Sequence, residues 1–218
     1  MDTNIKNKEN LRKKRNLIKY QNINNQNLMF LNTLSEFKNL NFNESLIFIP
    51  ATLDEYYSLE EIKADYYEGN IVMNSPASYK HESIFMKISN KIFNFVEKNK
   101  IGEVLGSRFT IILGNHHFEP DITFINKNNP GKFTENNFIG IPDLIIEIIS
   151  KSTKKYDLVN KREVYREYKV KEIWFVDYSD EKLIIDYLEN DNYITKELGI
   201  KEKIESRVLK RFHQSIII

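Results

Sequence analysis

The 218-residue sequence contains no cysteine, one tryptophan, and few glycines and prolines, seven and five respectively. Without cysteine the chain can form neither disulfides nor Cys-type zinc sites, and thiol catalysis is excluded as well. The sequence also lacks an apolar run of about 18 residues, the length that a membrane-spanning helix needs. Its polar start has no apolar signal-peptide core. We therefore expect no membrane association and a cytoplasmic protein, since a chain without cysteine suits a reducing compartment.

A marked excess of either charge is missing too. The formal net charge is +1, so the basic surface typical of nucleic-acid-binding proteins is absent from the chain as a whole. Residues 1–50 nevertheless carry eight Lys/Arg against four Asp/Glu. The sequence predicts an Asn/Lys-rich extension over residues 1–45, followed by one domain over residues 46–218. Apolar residues at loosely helical spacing predict one or two helices in the extension: Leu11, Ile18, Leu28, Leu31 and Leu34.

The pattern of apolar and polar residues from residue 51 onwards predicts alternating helices and strands. Thr52 and Glu55 form a capping-box pattern at the start of a short helix. A long helix is predicted over residues 78–98, because Ile84, Ile88, Ile92 and Val96 share one face. A second amphipathic helix is predicted over residues 156–168. Strand patterns cover residues 66–73, 103–113, 118–125, 144–149, 172–178, 183–188 and 203–209. The expected class is α/β (α+β), with a mixed central sheet flanked by helices.

Two predicted strands each carry one acid in an apolar setting. Asp121 follows Pro120 at a strand start, and Glu147 interrupts the apolar run Leu144–Ile149. Burying an ionised carboxylate costs several kcal/mol unless it is paired or binds a metal. Carboxylates on adjacent strands suit a hard divalent cation such as Mg²⁺ or Mn²⁺. A buried salt bridge from Glu147 to Lys161 or Arg162 is the competing interpretation, and the spacing alone favours it.

The order and spacing of several short motifs are more specific than any one of them. They run through about three quarters of the chain, from residue 52 to residue 217: Leu53-Asp54-Glu55-Tyr56, Tyr67-Glu68-Gly69-Asn70-Ile71-Val72, Ser75-Pro76-Ala77-Ser78 with His81, Pro120-Asp121-Ile122, Pro142-Asp143 continuing through Glu147 to Ser150 with Ser152-Thr153, then Asp157, Lys161 and Tyr165, and Glu172-Ile173-Trp174-Phe175-Val176-Asp177. With these motifs the chain resembles the Uma2 family of restriction endonucleases, a branch of the PD-(D/E)XK nuclease superfamily.

The resemblance implies a restriction-endonuclease-like core and a metal-binding acid pair. Asp121 would be the acid of the PD element and Glu147 the acid of the (D/E)XK element. The superfamily's lysine belongs two residues after the second acid, where this chain has Ile149. A lysine displaced to the following helix is a known variation, and Lys161 is the candidate. For Lys161 a catalytic role and a salt bridge are equally favoured by its position.

Three further residues are candidates for the site. Asp157 lies four residues before Lys161, a spacing that also makes an ordinary helical ion pair. His81, at the start of the long helix, would position substrate or water, or else make a capping or core hydrogen bond. Glu68 is a candidate third metal ligand because it precedes Gly69, which lets backbone approach closely. Trp174 and Tyr165 are expected in the core, and His116-His117 in an exposed turn.

The resulting hypothesis is a Mg²⁺- or Mn²⁺-dependent nuclease acting on nucleic acid, with DNA as the expected substrate. The alternative is a catalytically silent nuclease fold that binds nucleic acid or a protein partner, which Ile149 and the near-neutral charge favour. Because enzymes that cut both strands often pair two active sites, we also expect a homodimer.

Overall fold

The computed structural model describes residues 28–30, 46–59, 62–74 and 76–216. Its internal contacts divide the chain into two units, residues 1–75 and residues 76–218. The predicted boundary after residue 45 stays a prediction, since most of the extension lies outside the described residues. Within the described ranges, no helix is long and apolar enough to cross a membrane.

The described residues of the first unit contain four short strands. These are β1 (Leu28–Phe30), β2 (Leu46–Pro50), β3 (Asp65–Tyr67) and β4 (Asn70–Met73). They lie in the order β1-β2-β4-β3, with β1 parallel to β2 and the other pairs antiparallel. The helical prediction at Leu28 is therefore wrong, because the backbone of β1 pairs with β2 in the register Leu28↔Leu46. The other residues of that predicted helical pattern lie outside the described residues.

The capping box of the first unit is confirmed. Helix α1 (Leu53–Tyr57) begins after Thr52, whose hydroxyl accepts a hydrogen bond from the Glu55 amide at 3.2 Å. The Glu55 carboxylate accepts one in return from the Thr52 amide at 2.6 Å. The strand pattern predicted over residues 66–73 is two strands, β3 and β4, joined by a turn at Glu68-Gly69, where both residues have positive φ, 46° and 75°.

The second unit contains the remaining elements, in this chain order: α2 (Tyr79–Asn99), β5 (Gly102–Gly106), β6 (Thr110–Leu113), β7 (His116–Phe118), β8 (Ile122–Asn126), β9 (Lys132–Phe133), β10 (Asn137–Ile139), β11 (Leu144–Ile149), α3 (Tyr156–Glu167), β12 (Glu172–Asp177), β13 (Lys182–Glu189), β14 (Asn192–Gly199), β15 (Lys203–Glu205) and β16 (His213–Ser215). Helix α3 joins a π-helical segment, Tyr156–Lys161, to an α-helical segment, Arg162–Glu167.

The main sheet of this unit has six strands in the order β14-β13-β12-β11-β8-β5. Only β11 and β12 are parallel, and the other neighbours are antiparallel. A parallel pair requires a crossover connection, and α3 lies within it. Strands β7, β6, β10 and β9 pair in that order within the same unit. The predicted mixed sheet is confirmed.

Both faces of the main sheet are covered. The buried face of α2, formed by Ile84, Ile88, Ile92 and Val96 as predicted, packs in one core with Ile146, Ile148 and Trp174. Side chains alternate along a strand, so Glu147 and Phe175 point to the other face. There α3 covers them, since Tyr165 contacts Glu147 and Arg162 lies over the Phe175 ring. The prediction of flanking helices is thus confirmed.

Some strand boundaries differ from the sequence prediction. The strand predicted over residues 103–113 is two strands, because a turn after Gly106 sends β5 to pair with β8 and β6 to pair with β7. The strand predicted over residues 118–125 is likewise interrupted between β7 and β8. Strand β14 escaped prediction because its side chains are mostly polar, as an exposed edge strand allows.

Asp186 of β13 fastens α3 to the sheet. Its fully buried carboxylate accepts hydrogen bonds from Arg162 at 2.7 Å, from Arg166 at 2.6 and 2.7 Å, and from Thr195 at 2.7 Å. Burial by itself raises the pKa of Asp186, but these hydrogen bonds outweigh burial and lower the pKa to about 2.

This carboxylate should make stability depend on pH between about 4 and about 2. Because the folded pKa lies below the unfolded value of about 3.9, the stabilisation is complete above that value and is lost as the pH falls. We expect Asp186→Asn to remove about 1–2 kcal/mol of this pH-dependent stability, allowing for solvent around the arginines. Urea unfolding from pH 6 to pH 2 measures it. Asp191, whose side chain is 91% exposed, provides the control variant Asp191→Asn. If the free energy of unfolding depends equally on pH in both variants, the assignment is contradicted.

Candidate active site

The two predicted acids lie side by side at one end of the main sheet. Strands β8 and β11 pair in the register Ile122↔Ile146, and continuing this antiparallel register by one residue sets Asp121 opposite Glu147. An Asp121 Oδ2 atom accepts a hydrogen bond from the Ile148 amide at 2.8 Å. This bond extends the strand pairing through a side chain and fixes the carboxylate beside β11.

Glu147 meets two donors from α3. The Lys161 Nζ atom lies 3.1 Å from Glu147 Oε1, and the Tyr165 hydroxyl donates to the same oxygen at 2.6 Å. All three residues are buried. Within the described part of the chain both donors reach Oε1, and Oε2 has no donor. The salt bridge that sequence spacing favoured therefore exists, to Lys161 and not to Arg162, which binds Asp186.

The π-helical segment of α3 sets the position of Lys161. Lys161 is its last residue, and its ammonium lies over the rings of Tyr156 and Phe118, at 5.6 and 5.8 Å from their centroids. The Asp157 carboxylate is 3.8 Å from the same ammonium and is buried, so the expected helical ion pair is present inside the protein instead of at its surface. Short π-helical stretches often occur at functional sites.

His81 contacts the other acid. Its Nε2 atom lies 3.2 Å from Asp121 Oδ2, and its backbone amide is capped by the Ser78 hydroxyl at 3.2 Å. The imidazole comes from the first turn of α2, whereas Lys161 and Tyr165 come from α3. The site therefore combines both helices that cover the sheet.

Burial dominates the electrostatics of Glu147. Removal from water raises the pKa of Glu147 well above its ordinary value, and the nearby Asp157 and Asp121 carboxylates raise it further. The positive charge of Lys161 and the hydrogen bond from Tyr165 act in the opposite direction. A raised pKa means that the ionised form of Glu147 needs compensating positive charge, so a cation bound near the two acids is electrostatically favoured.

Among the predictions about single residues, the exposure of His117 is wrong and the role of Glu68 stays a prediction. Tyr165 is a core residue as expected, but its hydroxyl also joins the site, which its position four residues after Lys161 on one helix could have indicated. His117 is buried in β7 instead of exposed, and burial, together with His116, lowers its pKa to about 4. Glu68 belongs to the first unit, in the turn between β3 and β4, and its role as a ligand stays a prediction.

The donor set fits a hard cation with few protein ligands. Among the described residues no group of three or more His, Asp or Glu side chains forms a metal cluster. Mg²⁺ is commonly held by one or two carboxylates, with water and substrate phosphates completing its coordination. Asp121 and Glu147, with the second oxygen of Glu147 lacking a donor, match this smaller set of ligands.

Removing Lys161 alone should leave the buried Glu147 carboxylate without its cation. We expect Lys161→Met to lower the free energy of unfolding by about 3 kcal/mol, the typical effect of breaking a buried pair. Combining it with Glu147→Gln removes both charges, so the double variant should lose less than the sum of the single variants. Urea unfolding of the four proteins measures the coupling.

The matched control is Lys171→Met. Its ammonium bonds Asp143 at 2.6 Å, but its side chain is 61% exposed, and the buried Asp143 carboxylate keeps its hydrogen bonds from the Asn126 amide and Asn129. The expected loss is therefore at most about 1 kcal/mol. Strictly additive effects of Lys161→Met and Glu147→Gln would contradict the electrostatic coupling.

Comparison with known structures identifies the fold. The chain is similar to the crystal structure of a nuclease from Anabaena variabilis, described as putative and belonging to DUF820, with a TM-score of 0.65 and 21% sequence identity. The similarity covers 77% of this chain and 96% of that one. The fold is therefore the predicted restriction-endonuclease-like α+β fold.

Comparison of the sequence gives the family. No curated protein matches the chain. The model of the Uma2 family, described as "Putative restriction endonuclease", matches residues 53–215. This range contains all the candidate site residues, including Glu68, and its description supports a nuclease activity in general. The chain belongs to the Uma2 family.

Proposed function

We propose that this protein is a metal-dependent nuclease that hydrolyses phosphodiester bonds, with DNA as its substrate. The observation that carries the proposal is the pair of buried acids, one just before β8 and one on β11, with Lys161 bound to the second. Stability alone does not account for a buried lysine beside two neighbouring acids, because apolar residues of similar volume often stabilise a protein as much as a buried ion pair does. Family membership supports the same reaction class.

Each residue would have a distinct task. Asp121 and Glu147 would hold Mg²⁺ or Mn²⁺, which when bound activates water and neutralises charge on a phosphate. Lys161 would stabilise negative charge developing on the phosphate oxygens, as preorganised donors do in buried sites. Tyr165 would keep the Glu147 carboxylate oriented through its 2.6 Å hydrogen bond. His81 would orient Asp121 in the same way.

One observation favours the alternative of a silent binding module. Ile149 occupies the position of the superfamily's lysine, and the Lys161 ammonium is already engaged by Glu147 at 3.1 Å and Asp157 at 3.8 Å. In this alternative the lysine neutralises a buried acid and takes no part in a reaction. Metal binding and activity distinguish the two functions.

The purified protein should cleave DNA only when Mg²⁺ or Mn²⁺ is added. Asp121→Asn and Glu147→Gln should each abolish cleavage and Mn²⁺ binding, because each removes a charged ligand. Lys161→Ala should lower the cleavage rate by roughly 100-fold or more, with little change in Mn²⁺ affinity, since lysine is not a ligand. Rates are measured on plasmid and linear DNA, and Mn²⁺ binding by calorimetry.

Glu163→Gln is the matched control for this experiment. Glu163 is an exposed acid of α3, two residues after Lys161, and its replacement should leave both rate and Mn²⁺ affinity unchanged. Circular dichroism checks that every variant is folded. Cleavage that survives either acid substitution would rule out this site, and Mn²⁺ binding without any cleavage would favour the silent module.

The extension is proposed to strengthen contact with nucleic acid. Seven of the eight Lys/Arg of residues 1–50 precede residue 28. A chain starting at Leu46 should retain Mn²⁺ binding but bind DNA more weakly, with a shallower salt dependence. Filter binding from 50 to 300 mM salt, roughly the range over which phosphate contacts are lost, measures this.

A chain starting at Leu28 separates charge from folding. It keeps β1, which pairs with β2, but lacks the seven basic residues. If its DNA affinity equals that of the full chain, the basic segment makes no contact. If only the chain starting at Leu46 unfolds, β1 belongs to the folded core and the predicted boundary is misplaced.

Sedimentation of the same proteins tests the proposed homodimer.

A further inference from the structure

A polar cavity of about 300 Å³ lies in the second unit, away from the candidate active site. Its lining includes Asn128, Asn129, Asp143, Lys171, Arg207 and Lys210. Asn126, the last residue of β8, also lines it, whereas Asp121 precedes the first residue of that strand. At about 3.3 Å per residue, Asp121 and Asn126 are separated by roughly 16 Å. The cavity is therefore a separate site at the opposite end of the sheet.

The cavity has an excess of positive charge. Three lining residues are cationic, namely Lys171, Arg207 and Lys210, and Asp143 is the single acid among the lining residues. The Asp143 carboxylate is already satisfied by the protein, because it accepts hydrogen bonds from Lys171 Nζ at 2.6 Å, the Asn126 amide at 2.8 Å and Asn129 Nδ2 at 2.7 Å. An entering anion thus faces cations and amide groups with a neutralised acid behind them.

Two buried acids hold the walls of this cavity in place. Asp143 fixes the asparagine-rich loop after β8 through the bonds just described. Glu172, fully buried at the start of β12, accepts hydrogen bonds from the backbone amides of Arg207 and Val208 at 2.8 and 3.0 Å. The loop that carries Arg207 is therefore anchored to the sheet. Preorganised walls reduce the entropy lost when a ligand binds.

The cations differ in how strongly the protein engages them. Arg207 lies 4.4 Å from the centroid of the Tyr187 ring and pairs at 3.6 Å with Glu189, and both members of this pair are close to half exposed. Solvent screens such a pair, so an anion can compete for the guanidinium. Lys210 is exposed and makes no hydrogen bond or ion pair with any described residue. Its ammonium is available to a ligand.

We propose that this cavity binds a phosphate-bearing anion of the size of a mononucleotide. Guanidinium and ammonium groups form strong, charge-assisted hydrogen bonds with phosphate oxygens, and the asparagine amides can contact polar groups attached to the phosphate. Small-molecule pockets begin at about 300 Å³, which matches the cavity. The bound group is a phosphomonoester, carried by a free nucleotide or by the 5′ end of an oligonucleotide. The site does not depend on the proposed nuclease activity.

Calorimetry with the full-length protein in EDTA tests the proposal, because the chelator prevents metal-mediated phosphate binding at Asp121 and Glu147. Adenosine 5′-monophosphate should bind, and adenosine should not. Lys210→Glu should weaken binding by about tenfold or more, the effect of losing one hydrogen bond to a charged group. Lys87→Glu makes the same charge change on an exposed residue of α2 outside the cavity, and should leave the affinity unchanged.

Two further arms identify the source of the phosphate. If the source is a nucleic-acid end, a 5′-phosphorylated oligonucleotide should bind more tightly than its dephosphorylated form and more tightly than the mononucleotide, and Lys210→Glu should abolish the difference. If it is a free nucleotide, the mononucleotide should bind more tightly than the phosphorylated oligonucleotide. The proposal is overturned if neither adenosine 5′-monophosphate nor the 5′-phosphorylated oligonucleotide binds. It is also overturned if Lys210→Glu and Lys87→Glu lower the affinity equally.

Discussion

The arrangement of the second unit around its sheet depends on the compensation of one buried negative charge. Glu147 stands in the middle of a strand whose other side chains are all apolar, where an ionised carboxylate is strongly disfavoured unless it is neutralised. Lys161 and Tyr165 supply that compensation from α3. Because both side chains have fixed reach, the requirement also fixes where α3 lies over β11. The candidate site and the helix position have one physical cause.

Other buried acids of this unit act in a comparable way at different places. Asp186 binds two arginines of α3, and Glu172 binds backbone amides of the loop after β15. In each case a carboxylate on a strand fastens a neighbouring segment that apolar packing alone would leave free to slide. Hydrogen bonds are directional, whereas apolar contacts are not. The acids thus specify geometry around the sheet.

The sequence was sufficient for elements whose local pattern, such as helical periodicity, a capping box or an apolar run, already indicates the structure that they form. The periodic isoleucines of α2, the capping box at Thr52 and the apolar run of β11 all lie where predicted. It was insufficient where tertiary contacts decide the outcome. The turn after Gly106 depends on the pairing of β5 with β8, which comes later in the chain, and the exposed edge strand β14 has no apolar alternation that would indicate a strand. The candidate acids were recognisable because burial makes a lone carboxylate conspicuous. The pairing of Lys161 with Glu147, and the part of Tyr165 in it, required the fold to bring α3 back over β11.

The exposed edge strand β14 has a consequence for how copies of this chain can associate. A free edge offers unpaired backbone groups to any strand of another molecule, and natural proteins often discourage this with charged side chains. Lys196 lies over the Tyr187 ring and Glu197 pairs with Lys182 at 3.5 Å, so charged groups line this margin. Joining two copies here into one continuous sheet would require crowding or desolvating those charges. Intermolecular sheet extension along β14 is therefore disfavoured, which protects the protein against aggregation through this strand.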